Sequence, residues 1–141
     1  MSSFKNFFKE NAEQIESIEY VATSRFKDDK GAPIRWKLRP LTNTEFDDLT
    51  NRANKTKFGG KGKREVKFDL STFRPGFCVA GVVYPDLNDA ELQKNWGVMG
   101  ADNLIKEMLL PGELTDLYDK LNEISGFDKD INEEIEEAKN S

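Results

Sequence analysis

Between Ile34 and Leu38 apolar residues alternate with cations: Ile34, Trp36 and Leu38 against Arg35, Lys37 and Arg39. Upstream, Tyr20, Ala22, Ser24 and Phe26 alternate with Val21, Thr23 and Arg25, and the two runs are separated by Asp28-Asp29-Lys30-Gly31-Ala32-Pro33. Period-two alternation on both sides of a glycine-containing turn predicts a β-hairpin. Its Ile34/Trp36/Leu38 face is expected to be buried and its three-cation face to meet water or an acidic partner. A lone hairpin is marginal in water, so the rest of the chain must supply a cover for the apolar face. That requirement selects an α+β fold.

The cover is legible as helices. Phe4, Phe7, Phe8, Ile15 and Ile18 fall near one side of a predicted N-terminal helix from Ser3 to Ile18. Thr42-Asn43-Thr44-Glu45 has the spacing of a capping box, and Phe46, Leu49 and Ala53 then recur at helical intervals, which predicts a helix ending near Asn54. In Leu87 to Leu92, Asn88 and Glu91 have cap and N3 spacing, Leu87 and Leu92 the spacing of a hydrophobic staple. Gly97 stops that helix. The next carries Leu104, Ile105, Met108 and Leu109, and Pro111-Gly112 breaks it. A last helix carries Leu114, Leu117, Leu121 and Ile124 and ends at Gly126.

Two stretches resist a simple reading. Asp69 to Tyr84 shows helical spacing of Leu70, Phe73, Phe77, Ala80 and Tyr84, yet FCVAGVVY is also β-branched and aromatic, as a buried strand is. A buried helix is the favoured reading, with Ser71 or Thr72 as cap because Pro75 suits only a first turn. Gly76, Ala80 and Gly81 would allow close packing, and Cys78 reads as an inert small hydrophobe. Lys55 to Lys67 holds six cations, three glycines and one acid, and reads as a flexible basic loop over 55–67 or a basic arm that orders on an acidic partner. Its GGKGK run departs from a phosphate loop, since Arg64 stands where that motif needs Ser or Thr.

The expected organisation is therefore a mostly helical α+β domain over 1–127, with an N-terminal helix, one hairpin and about five further helices. Residues 128–141 form an acidic tail, a frayed helix or disordered, in which Ile131 and Ile135 can present a thin apolar stripe to a partner helix.

Composition narrows the function. The chain has no histidine, which removes the usual general base and the commonest metal ligand. Cys78 is the single cysteine, so neither an internal disulfide nor a thiolate metal site is available, and a reducing, cytoplasmic setting is the natural expectation. A net charge of −5 argues against general nucleic-acid binding. The N-terminus lacks the apolar stretch of a secretory signal, and no run reaches the roughly 18 apolar residues of a membrane span. Carboxylates sit at helix starts, in turns and in the tail. The Asp28-Asp29-Lys30-Gly31 turn lacks the alternating acids and later glutamate of an EF-hand. The chain reads as a binding or assembly protein without cofactor or catalytic centre.

Several strings resemble a known family. IEYVATSRFKDDKGAPIRWKLRPLTNTE, CVAGVVYPDLNDAELQKNWGVMGADNLIKEMLLPGE and LNEISGF are similar to the XkdN-like tail assembly chaperones of long-tailed phages and phage-like elements of Gram-positive bacteria. The likeness runs from about Phe4 to Phe127, is most specific in YPDLNDAELQ…WGVMGADNLIKEMLLPGE, and departs at the basic loop and at Pro75. It implies a non-structural protein of the host cytoplasm that binds the tape measure protein and keeps this long helical chain soluble while tail tube subunits polymerise around it. A small structural tail or baseplate component retained in the particle is the alternative. Trp96, Met99, Leu104 and Met108 are candidates to border a client groove, ordinary core packing being the other reading of the same residues. Homo-oligomerisation stays open.

Overall fold

The computed structural model describes residues 3–14 and 16–127. The alternating run supplies β2 (Trp36–Leu38), which pairs antiparallel with β1 (Ile18–Tyr20) in the register Ile18↔Leu38, Glu19↔Lys37 and Tyr20↔Trp36. Near the turn the two arms meet again, where the Ile34 N–H donates to the Phe26 carbonyl at 2.8 Å. Between them the regular ladder lapses, and neighbouring Ala22 and Thr23 are both buried, which breaks the alternation read from the sequence. Trp36 and Leu38 are buried as the alternation requires, each contributing about 1.5–3 kcal/mol of apolar burial. On the opposite face Arg35 pairs with Glu19 at 3.0 Å and Arg39 with Glu45.

The other edge of β2 is occupied by a strand that the sequence left ambiguous. Leu70–Gly81 is helix α2 and Val82–Tyr84 is strand β5, which pairs antiparallel with β2 in a three-stranded sheet of order β1-β2-β5. Helix and strand share FCVAGVVY, but the strand is not the buried one expected: Val83 and Tyr84 are exposed. The helix begins earlier than Ser71 or Thr72: Asp69 is the cap, and its carboxylate accepts from the Ser71 N–H at 3.1 Å, Ser71 Oγ at 2.6 Å and Thr72 Oγ1 at 2.8 Å. Pro75 consequently stands in the second turn, buried in the core.

Around α2 lie α1 (Asn43–Ala53), α4 (Ala101–Met108) and α5 (Pro111–Asn122). The capping box of Thr42 and Glu45 is present, and Pro111 opens α5 at its first position rather than merely ending α4. The small residues of α2 permit close approach. A Cβ on Gly76 would lie 2.9 Å from Leu49 Cδ2, and one on Gly81 would clash with Leu121 Cδ2. Phe73 and Phe77 meet Phe46 and Tyr118 ring to ring at 5.3 to 6.4 Å, which joins α1, α2 and α5. Cys78 is fully buried there, and burial pushes its thiol up to about 12.

Three expectations are corrected. The N-terminal helix from Ser3 to Ile18 is absent: two single 3₁₀ turns, Phe4–Phe7 and Lys9–Asn11, precede β1, and no α-helix forms among the described residues there. Phe4, Phe7 and Phe8 cluster with one another rather than on the core, so no packed face rescues a short helix, while Ile18 pairs with Leu38 in the sheet. Ile15 lies outside the described residues. The basic stretch is not a loop but a second hairpin, β3 (Asn54–Gly59) and β4 (Lys63–Phe68), so the fold has two hairpins and not one. The cap of α3 (Ala90–Asn95) is Asp89, not Asn88; Asp89 accepts from the Leu92 N–H at 2.8 Å, and Asn88 is held by Asp86 instead. Five α-helices and two small antiparallel sheets make the described residues α+β. The expected acidic tail, 128–141, lies outside the described residues, and with it Ile131 and Ile135.

Candidate functional site

The run Trp96-Gly97-Val98-Met99-Gly100 is the joint between α3 and α4. Gly97 (φ 71°) and Gly100 (φ 92°) both take left-handed backbone that side chains disfavour. At Gly97 the chain closes α3 with a Schellman pattern: Gly97 N–H donates to Lys94 O at 3.0 Å and Val98 N–H to Gln93 O at 3.0 Å. Gln93 then ties the joint together. Its side-chain amide donates to Leu87 O at 2.9 Å, and its Oε1 accepts from Gly100 N–H at 3.0 Å. The sequence offers no periodic signal for this clamp, because Gln93 occupies an ordinary helical position.

Trp96 stands four residues from Leu92 on α3, so both project from one side of the helix. That side faces the first hairpin. The Trp96 ring meets Phe26 edge-on, with centroids 6.0 Å apart. Trp36 and Met108 form a buried floor below, and Ile34, Tyr84 and Pro85 complete the wall of an apolar cleft of about 180 Å³. The Tyr84–Pro85 peptide, at the end of β5, is cis. Arg25 guards the rim: its guanidinium lies 5.7 Å from the Phe26 ring centroid, donates to the Met108 carbonyl at the end of α4, and reaches Glu113 at 3.4 Å. The cation thus satisfies a helix C-terminus and keeps polar groups at the edge of the apolar surface.

The candidates drawn from the sequence separate. Trp96 and Met108 line this cleft together. Met99 is 87% exposed and belongs to a different depression of about 410 Å³ over the joint, beside Gln93 and Lys94. Leu104 is fully buried in the core and offers no surface. Phe26, Tyr84 and Pro85 were missed as site residues, since only the sheet and the α3 contact bring them beside Trp96. Among the described residues no group of three or more acids or cysteines stands close enough to hold a metal ion, and no helix is long and apolar enough to cross a membrane.

This architecture has a solved counterpart. The crystal structure of the protein YqbN superposes with a TM-score of 0.75, covering 91% of this chain and 99% of that one at 22% identity, a likeness of fold. In sequence the chain is 31% identical over 129 residues to the phage-like element PBSX protein XkdN of Bacillus subtilis (strain 168), covering 90% of this chain and 86% of XkdN. It is 30% identical to the uncharacterized protein YqbN of the same strain over the same shares. The sequence profile described as phage XkdN-like tail assembly chaperone protein matches residues 4–139. With nearly its whole length matched, the chain belongs to the XkdN-like family of phage tail assembly chaperones.

Proposed function

We propose that the protein binds the tape measure protein of its phage in the host cytoplasm, through apolar contacts at the Trp96 cleft, and keeps it soluble while tail tube subunits assemble around it. The observation that carries this reading is the cleft itself. Two half-buried rings, Phe26 and Trp96, and an exposed Tyr84 stand around a buried apolar floor at the surface. Small-molecule pockets generally run from about 300 to 1,000 Å³. A cleft of about 180 Å³ suits one or two anchoring side chains of a helix better than a metabolite. The role requires no bond to be made or broken, and the residues that line the cleft are uncharged, with the Arg25–Glu113 pair beside it.

Co-expression with the tape measure protein, followed by affinity capture, tests the reading; co-purification that falls with Trp96→Ala is the expected result. Mass spectrometry of purified particles separates it from a retained tail or baseplate component, since a chaperone is absent from the finished particle.

A further inference from the structure

The hairpin β3–β4 carries an apolar face that the other described residues leave open. Its register, from Asn54↔Phe68 to Gly59↔Lys63, places Asn54, Thr56, Phe58, Arg64, Val66 and Phe68 on one side. Phe58 is 78% exposed and Val66 68% exposed, and Phe68 meets the core at Phe73, ring centroids 5.1 Å apart. Two strands alone are marginal in water, and a row of large apolar side chains left open on one is the signature of a surface with a partner.

Charge states what that partner must be. From Lys55 to Lys67 the hairpin has six cations against Glu65 alone. A second copy of the same hairpin would bring the same excess charge and be repelled. The cover has to be both apolar and anionic.

The chain contains such a segment, and it starts nearby. Residues 128–141 hold six acids and two lysines, with Ile131, Ile135 and Ala138 spaced four and three apart. Phe127, immediately before it, lies 5.2 Å from Phe46; Phe46 lies 5.7 Å from Phe73, and Phe73 5.1 Å from Phe68. One row of rings therefore links the root of the acidic segment to the root of the hairpin's open face. Fourteen residues span about 21 Å as a helix and up to about 46 Å extended, against about 20 Å for a six-residue strand. The extended form reaches the tip even when the whole row of rings is added to the path. Tethering gives the segment an effective concentration on the order of millimolar, which no free competitor easily matches.

We propose that residues 128–141 dock within the same chain on the β3–β4 hairpin, Ile131 and Ile135 covering Phe58 and Val66 while the acids meet Arg64 on that face and are held by the field of Lys63 and Lys67, which project from the other.

The test is paramagnetic relaxation in the full-length protein. Ser141→Cys carries a spin label, and the fully buried Cys78 is left unmodified. The expected result is loss of amide signal intensity along residues 56–66 in the labelled chain. No loss is expected when spin-labelled chains are mixed with unlabelled, isotope-enriched ones. The charge variant K63E/R64E/K67E, with its core amide shifts unchanged, should restore the intensity, as should neutralising the tail in D130N/E133Q/E134Q. The tail variant leaves the hairpin sequence intact, so its outcome does not depend on how the hairpin tolerates substitution. Undiminished hairpin signals in the labelled chain, or broadening that appears in the mixed sample, would overturn the proposal.

Discussion

Trp96 meets Phe26 edge-on, with ring centroids 6.0 Å apart and planes at 80°. The contact joins α3 to the turn end of the first hairpin across the open cleft, so the residue that closes one helix also forms a wall of the candidate client surface. Because Trp96 is half-buried, Trp96→Ala should cost about 2 kcal/mol, below the roughly 3–5 kcal/mol of a fully buried aromatic. The variant should fold and yet lose client binding by about tenfold or more, the size of effect expected of an anchoring aromatic. Leu104→Ala is the contrast. It should cost about 2–5 kcal/mol of stability from a closed core position. Chemical denaturation of both variants, read beside client capture, checks the distinction.

Gln93 is predicted to matter more than its helical surface position suggests. Gln93→Ala removes the hydrogen bonds to Leu87 O and Gly100 N–H and should cost about 1–2 kcal/mol. Hydrogen exchange at the Gly100 amide should quicken more than at amides of α2. Unchanged exchange at Gly100 would contradict the clamp.

The close approach of α2 and α5 is testable at Gly81. A methyl group there would clash with Leu121 Cδ2, so this fully buried side chain would have to shift within the core. Gly81→Ala should therefore destabilise by about 1–3 kcal/mol. Adding Leu121→Ala should show coupling, the double variant losing less than the two single losses together. Thermal melts of the four proteins give the cycle.

The pair Arg39–Glu45 sets an acid limit on stability. Both guanidinium nitrogens donate to the carboxylate, at 2.9 and 2.6 Å, and these bonds hold Glu45 down at about 2 against an ordinary value of 4.5. With the folded value below the unfolded one, the contribution is complete above about pH 4.5 and fades as pH falls towards 2. Both side chains are partly exposed, which screens the pair to about 1 kcal/mol. Glu45→Gln should be less stable than the parent at pH 7, and the gap should close near pH 2. A gap that persists there would contradict the assignment.

How far the sequence carried these conclusions depended on whether the deciding interactions were local. The capping box at Thr42 and Glu45, the stop at Gly97 and the buried side of Trp36 and Leu38 are short-range matters, and each is found. The third strand was not legible, because Val82–Tyr84 becomes a strand only by pairing with β2, more than forty residues upstream. The basic stretch was misread for a related reason. Its lysines suppress every composition signal for a strand, while its cross-strand register shows the alternation only after pairing. At the N-terminus the periodicity of Phe4, Phe7 and Phe8 was real, but the face it makes finds no core to bury against. Of the candidate site, Trp96 and Met108 were legible as apolar punctuation near a joint. Phe26 and Tyr84 were not, since the cleft is made by elements far apart in the chain.

The most direct measurement is affinity capture of the tape measure protein by the parent chain, by Trp96→Ala, and by Met99→Ala as a control outside the cleft, each first shown to be folded. The account predicts capture by the parent and by Met99→Ala, with a loss of about tenfold or more for Trp96→Ala. Equal capture by all three folded proteins, or none by the parent, would contradict it.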